Sequence, residues 1–231
     1  MSDLERVVAR LAQEVERRFY GKYRGLVVDN EDPEALGRLR VSVPSVLGDE
    51  VVTGWAVPCL PYGGDANQGM LFVPTVGAGV WVEFEEGDLE FPLWVGTFWS
   101  KPGGETELPK PNGPDGAEEE AAQSPPTRKI IKTAKGHTLQ FEDADDQEMV
   151  ILHEATHGHV LTLDREGVTV TDGNGNVIRM TEDGITLTDA TGNSLEMKQD
   201  AFNILAKTPF TLDASGQPIV LKGSTIDLNK G

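Results

Sequence analysis

From residue 128 onward, apolar and polar residues alternate in short runs, each closed by a Gly, Asn or Asp turn. Four stretches share one pattern of Gly, then His or Asn, any residue, apolar, any residue, apolar. They are GHTLQF (136–141), GHVLTL (158–163), GNVIRM (175–180) and GNSLEM (192–197). An interleaved series, Val168/Val170, Ile185/Leu187, Phe202/Ile204 and Ile219/Leu221, recurs every 17 residues. Alternation with a period of two predicts strands, and turns such as DGNGN and DATGN separate them. A five-residue strand with one apolar face cannot bury that face alone, so stacked copies must do it. The pattern predicts an all-β rod over residues 128–231, a β-solenoid or intertwined β-prism, before it suggests an enzyme.

Other periods mark the rest of the chain. Leu4, Val7, Val8, Leu11 and Val15 line one face of a helix in residues 1–22, with Ser2 or Asp3 as N-cap. Such a helix either lies on its own domain or docks on a partner or a copy of itself. Residues 23–100 carry candidate strands at 23–30, 37–44, 51–57, 69–74, 79–85 and 91–99, in which Leu39, Val41, Val43 and Val80, Val82, Phe84 alternate. Five or six short strands at this spacing suit an OB-type barrel. Residues 101–127, rich in Pro, Gly and Glu, lose all periodicity and read as a linker.

Charge narrows the functions such a barrel can have. With 38 Asp and Glu against 20 Lys and Arg, the formal charge is −18. A barrel that binds nucleic acid needs a basic groove with stacking aromatics; here the loops carry Asp29, Asp32, Glu34, Asp49, Glu50, Asp65, Glu85, Glu86, Asp88 and Glu90. Nucleic acid is therefore not an expected partner. A single cysteine, Cys59, rules out an internal disulfide and a thiolate cluster, and is expected to pack in the barrel. The N-terminus lacks the apolar core of a secretion signal, and no apolar run approaches the ~20 residues of a membrane helix. Synthesis in the cytoplasm is the expectation.

The barrel residues also resemble a known family. RGLVVDNEDPEALGRLRVSVP, WAVPCLP and GMLFVPTVGAGVWVEFEEGDLEFPLWVGTFWS are similar, in order and spacing, to the OB domain of phage baseplate assembly protein V and of VgrG spikes. KIIKTAKGHTLQFED resembles the entry to that family's triple-stranded β-helix. The resemblance implies a homotrimeric central spike of a contractile injection machine, assembled into a virion baseplate or contractile particle. Its barrels would attach to a hub protein, a PAAR-type protein would cap the C-terminal tip, and the whole would mechanically pierce a target envelope. In such a prism Leu161, Leu163, Val168, Val170, Ile178, Met180, Ile185, Leu187, Leu195, Met197, Phe202, Ile204, Ile219 and Leu221 would form the trimer core. Thr162, Asp164, Arg179, Thr181, Glu196 and Lys198 would face water. Only the 101–127 linker occupies the place of the lysozyme domain that some relatives insert, so wall-degrading activity does not carry over; no fused hub is visible, which favours a phage or phage-like particle with a separate hub subunit.

Candidate chemistry is sparse. HEATHGH (153–159) contains the zincin pattern His-Glu-x-x-His, but that chemistry needs both histidines on one face of a helix, and the segment sits between strand patterns. By register His159 fills the turn slot of Asn176 and Asn193. His157 and His159 stay as candidate metal ligands if three chains gather them about one axis, although turn residues explain them without an ion. DGNGN (172–176) lacks the spaced carboxylates of a calcium loop. Trp81, Trp94 and Trp99 read as barrel core or trimer contacts. No catalytic residue and no cofactor are expected. The competing reading is a secreted β-helical carbohydrate-binding or carbohydrate-active protein, which would need a signal sequence or an aromatic and carboxylate groove.

Overall fold

A computed structural model describes residues 3–16 and 18–227. The chain divides into two compact units at Leu108/Pro109. The first opens with helix α1 (Asp3–Glu16), whose Leu4, Val7, Val8, Leu11 and Val15 are all more than half exposed. Ser2, the alternative N-cap, lies outside the described residues. After α1 the chain is pinned to the barrel: Phe19 N–H donates to Gly87 O at 2.9 Å, and Arg18 Nη1 donates to Glu86 O and Asp88 Oδ2 at 3.3 Å. Gly87 permits this approach, because a Cβ there would stand 3.1 Å from both Arg18 Cβ and Phe19 N, at a φ of +76°.

The barrel strands are β1 (Tyr23–Asp29), β2 (Arg40–Ser42), β3 (Val57–Pro58), β4 (Gly79–Phe84) and β5 (Pro92–Thr97), in the order β2-β1-β4-β5-β3. Among the described residues, only β3 and β5 pair in parallel. Alternation does what it predicts: Leu39, Val41, Val43, Val80, Val82 and Phe84 close one core with Val27, Ala56 and Trp94. Trp94 is buried with its indole N–H donating to Gly37 O at 3.1 Å. Trp81 packs half-buried against Phe98 and beneath Arg24, while Trp99 is exposed.

Two expected strands are reduced. Residues 51–56 touch the sheet through isolated bridges, Ser42↔Val52 and Leu39↔Ala56, while Thr53 donates its N–H to Val41 O and accepts the Val41 N–H on Oγ1; Val57 alone of the expected strand enters β3. Residues 69–74 form no strand; Gly63, Gly64 and Gly69 bend this loop at positive φ and leave Met70, Leu71 and Phe72 exposed. Cys59 is exposed, not packed in the core, since it lies on the short edge strand's exit. The Asp-Pro-Glu turn is held by Asp32, whose carboxylate accepts the Arg38 guanidinium at 2.6 Å and the N–H groups of Glu34, Leu36 and Arg38. Arg38 first, and then those N–H groups, hold Asp32 well below the usual carboxylate range.

The second unit is one sheet of nine strands in sequence order: β6 (Arg128–Lys132), β7 (Thr138–Glu142), β8 (Met149–Glu154), β9 (His159–Asp164), β10 (Gly167–Thr171), β11 (Val177–Thr181), β12 (Gly184–Thr188), β13 (Ser194–Lys198) and β14 (Phe202–Leu205). Every neighbouring pair is antiparallel and in unbroken register. Short turns return each strand beside its predecessor, so the single chain forms an open meander and does not wind into a coil by itself.

Two sequence readings change here. Residues 109–127, read as the larger part of a linker, lie against the sheet. Ile219 and Leu221, read as the last strand pair, lie outside any strand; Pro209 and Pro218 interrupt this segment, and β14 is the last strand of the ladder.

Candidate functional site

The register of the meander gathers the alternating apolar residues onto one face. Two columns run across it. One is Ile131, Leu139, Leu152, Leu161, Val170, Ile178, Leu187, Leu195 and Ile204; the other follows Lys129 with Phe141, Val150, Leu163, Val168, Met180, Ile185, Met197 and Phe202. Within the chain this face is uncovered: Leu152 is 54% exposed, Leu187 39%, Ile204 59% and Phe202 62%. An open apolar hollow lined by Ile178, Leu187, Leu195, Ile204 and Phe210 lies toward its C-terminal end. A continuous apolar surface of this length is a binding surface or an aggregation hazard, and natural proteins cover it.

Twelve of the fourteen core residues read from the sequence lie on this face. The exceptions are Ile219 and Leu221. Ile131, Leu139, Phe141, Val150 and Leu152 join the face, though the 17-residue step does not reach them. The longer turn at 143–148 breaks the step between β7 and β8 while preserving the alternation inside each strand.

The opposite face is polar, and its first strands are strapped by residues 109–127. Asn112 N–H donates to Gln140 Oε1 at 2.9 Å, and Gln140 Nε2 donates back to Asn112 O at 2.8 Å. Thr138 Oγ1 donates to Asn112 Oδ1 and Thr162 Oγ1 to Pro114 O, each at 3.0 Å. Under this strap Gln140, Ile151 and Val160 are buried. Gly116 sits on the His153 ring so closely that a Cβ would come within 3.0 Å of it and 2.7 Å of Val160 Cγ2. Burial there pushes His153 below the ordinary histidine range. Glu142 anchors the far end of the strap. Burial opposes its ionisation, yet hydrogen bonds from Thr127, the Ala144 N–H, Arg128 and Gln123 together bring it down to about 2.

The turns carry the residues that looked chemical in sequence. HEATHGH forms the end of β8, a turn at 155–158 and the start of β9, without the helix that a zincin requires. Among the described residues, Glu154, His157 and His159 bring potential ligand atoms within 4.8 Å of one another. Two of the three already accept backbone hydrogen bonds. Glu154 accepts the N–H groups of Thr156 (3.1 Å) and His157 (2.8 Å), and the His157 N–H leads the contacts that bring it down to about 2. His159 Nδ1 accepts the Gly173 N–H at 3.1 Å, so the neutral ring carries its proton on Nε2. A metal on Nε2 would reverse that tautomer and set two donors face to face, so the Gly173 bond opposes His159 as a ligand.

The same slot recurs along the sheet. His137 Nδ1 accepts the Ala155 N–H at 3.2 Å, Asn176 Oδ1 the Ala190 N–H at 3.1 Å, and Asn193 Oδ1 the Lys207 N–H at 2.7 Å. Each His or Asn after the repeat glycine thus stitches its turn to the next one along the same edge. Asp172 and Asp189 complete the turns by accepting the N–H groups of Asn176 (2.8 Å) and Asn193 (2.9 Å). These bonds, led by the Asn side chains, bring both carboxyls down to about 2. In DGNGN, Asp172 caps its own turn.

Residues 23–99, about a third of the chain, match the family model of the type VI secretion system/phage-baseplate injector OB domain. No curated protein matches the chain. The match covers the barrel whose core and Asp32–Arg38 turn are described above. It supports a baseplate structural role, which implies contact with other baseplate components. Among the described residues no helix is long and apolar enough to cross a membrane.

Proposed function

We propose that this chain is the central spike subunit of a contractile injection machine, a phage baseplate or a phage-tail-like particle. Three copies press the apolar faces of their nine-stranded sheets together about one axis. The observation that carries the reading is that two-column face, uncovered in one chain, joined in sequence to an injector-type OB barrel. Three such faces enclose a core that no single open sheet can make. Each large apolar side chain so buried contributes roughly 1.5–3 kcal/mol, and the contribution repeats at every strand, giving the stiffness that piercing needs. The segment 206–227, with Phe210, Leu212, Ile219 and Leu221 exposed, finds strand partners only on neighbouring copies, and Ile219 and Leu221 then extend the same core.

In this reading the barrel end attaches to a hub protein and the C-terminal end receives a PAAR-type tip protein. The chain is made in the cytoplasm and assembled into the particle. It acts mechanically, with no enzyme activity, no cofactor and no metal, and it meets the target envelope only in passing. Light scattering of the purified 25.0 kDa chain at micromolar concentration is expected to give three times that mass. A folded monomer would remove the reading. Turnover of peptidoglycan or casein would remove its non-catalytic part alone.

A further inference from the structure

Helix α1 presents a second uncovered apolar surface, with a different geometry from the sheet. Its residues Leu4, Val8, Leu11 and Val15 are spaced by four, three and four, so Leu4/Leu11 and Val8/Val15 each repeat after seven residues and form the narrow stripe that a partner helix can cover. In heptad terms Val8 and Val15 take position a, Leu4 and Leu11 position d. Val7 and Ala12 fall at the flanking g and e positions, which widens the seam. The stripe is open: the five large residues are all more than half exposed, and the chain is pinned to the barrel after the helix, at Arg18 and Phe19.

Charge says what can cover it. Residues 3–18 hold Asp3, Glu5, Glu14 and Glu16 against Arg6, Arg10, Arg17 and Arg18. They balance, so the whole formal charge of −18 lies elsewhere in the chain. Copies of this protein repel one another over most of their surface, yet at α1 they meet without a like-charge penalty. The stripe is also self-complementary when the helices run parallel, and anchoring each helix at the same barrel position sets them parallel under a common rotation axis.

We propose that α1 packs in parallel on the α1 helices of the other copies, forming a short three-helix bundle. The number three rests on the trimeric reading above; the contact between copies rests on the stripe. Val at a with Leu at d suits two strands in a free coiled coil, whereas here the sheet assembly sets the copy number and Val7 and Ala12 supply the additional apolar surface that a third helix needs. Two heptads are too short to associate unaided; tethering raises the local helix concentration to the millimolar range or so. The bundle is therefore a consequence of assembly at the sheet, not its cause.

Disulfide trapping in the full-length chain tests this, with the exposed Cys59 replaced in a Cys59→Ser background. Leu11→Cys places thiols across the seam, within the ~4.4–6.8 Å Cα separation a disulfide needs; Arg6→Cys places them on the outer side. Mild oxidation is expected to make a linked pair the main species for Leu11→Cys, with one chain of each trimer left over, and to leave Arg6→Cys unlinked. Equal linkage of both variants, or none, overturns the bundle, and it does so whatever the mass of the assembly. A trimer mass without Leu11→Cys linkage assigns the stripe to another partner and leaves the spike reading standing. Linkage at Leu11→Cys with a dimer mass keeps helix pairing but overturns both the three-helix bundle and the trimeric reading.

Discussion

His159 shows how one residue's role is decided by the bond it accepts. Its Nδ1 takes the Gly173 N–H where Asn176 and Asn193 use a side-chain oxygen for the same task. His159→Asn is therefore expected to shift unfolding by less than about 0.5 kcal/mol. His159→Leu, which leaves that N–H without an acceptor, is expected to cost about 0.5–1 kcal/mol in denaturant unfolding. Equal effects would show that the slot is not a hydrogen-bond acceptor. Glu142 gives a pH signature. Its folded value of about 2 lies below its ordinary 4.5, so the folded state binds fewer protons than the unfolded state in between. Its stabilisation is full above pH 4.5 and is lost as the pH falls toward 2. Glu142→Gln is expected to flatten the unfolding profile in that window; an unchanged profile would count against the Glu142 anchor.

At the level of elements, the meander depends on two glycines that open strands. Gly167 and Gly184 follow two-residue turns at φ of +141° and +135°, and a Cβ would come within 1.9 Å of Met180 O and 2.0 Å of Met197 O respectively. Either Gly→Ala change must displace a neighbouring strand. Gly184→Ala is expected to destabilise by about 1–3 kcal/mol, read as a lower unfolding midpoint, while Gly48→Ala, with open space around its Cβ, measures the backbone cost alone. If the two variants unfold alike, strand contact is not what requires Gly184. The strap shows the limit of pattern reading. Pro, Gly and Glu over 101–127 have no period, yet Asn112 finds Gln140 across 28 residues. Nothing in the local sequence distinguishes an unstructured linker from a segment whose order comes from distant partners.

At the scale of the whole molecule, the open sheet carries the strongest consequence. Ile178 and Leu187 are cross-strand partners in the middle of the apolar face, and both are about two-fifths exposed in one chain. A double change, Ile178→Asp with Leu187→Lys, sets opposite charges across the strands and so costs little within an isolated sheet, but buries charge in a shared core. The variant is expected to sediment near 25.0 kDa, with its barrel still folded by near-ultraviolet circular dichroism of Trp94. An unchanged assembly mass would place the contact between copies elsewhere.

Period-two alternation and turn residues by themselves placed strands β9 to β14, put twelve apolar residues on one face of them and gave His159 its turn slot, because these are local properties of backbone geometry and side-chain spacing. The barrel's core alternation was equally legible. Tertiary structure alone decided the rest. It showed that 69–74 forms no strand, that Cys59 is exposed, that 109–127 straps the polar face and that Ile219 and Leu221 lie beyond the last ladder pair. Each of these depends on which groups meet across long stretches of chain, and local spacing does not encode that. The 17-residue step predicted a surface needing cover; only the register between strands made that surface one continuous face.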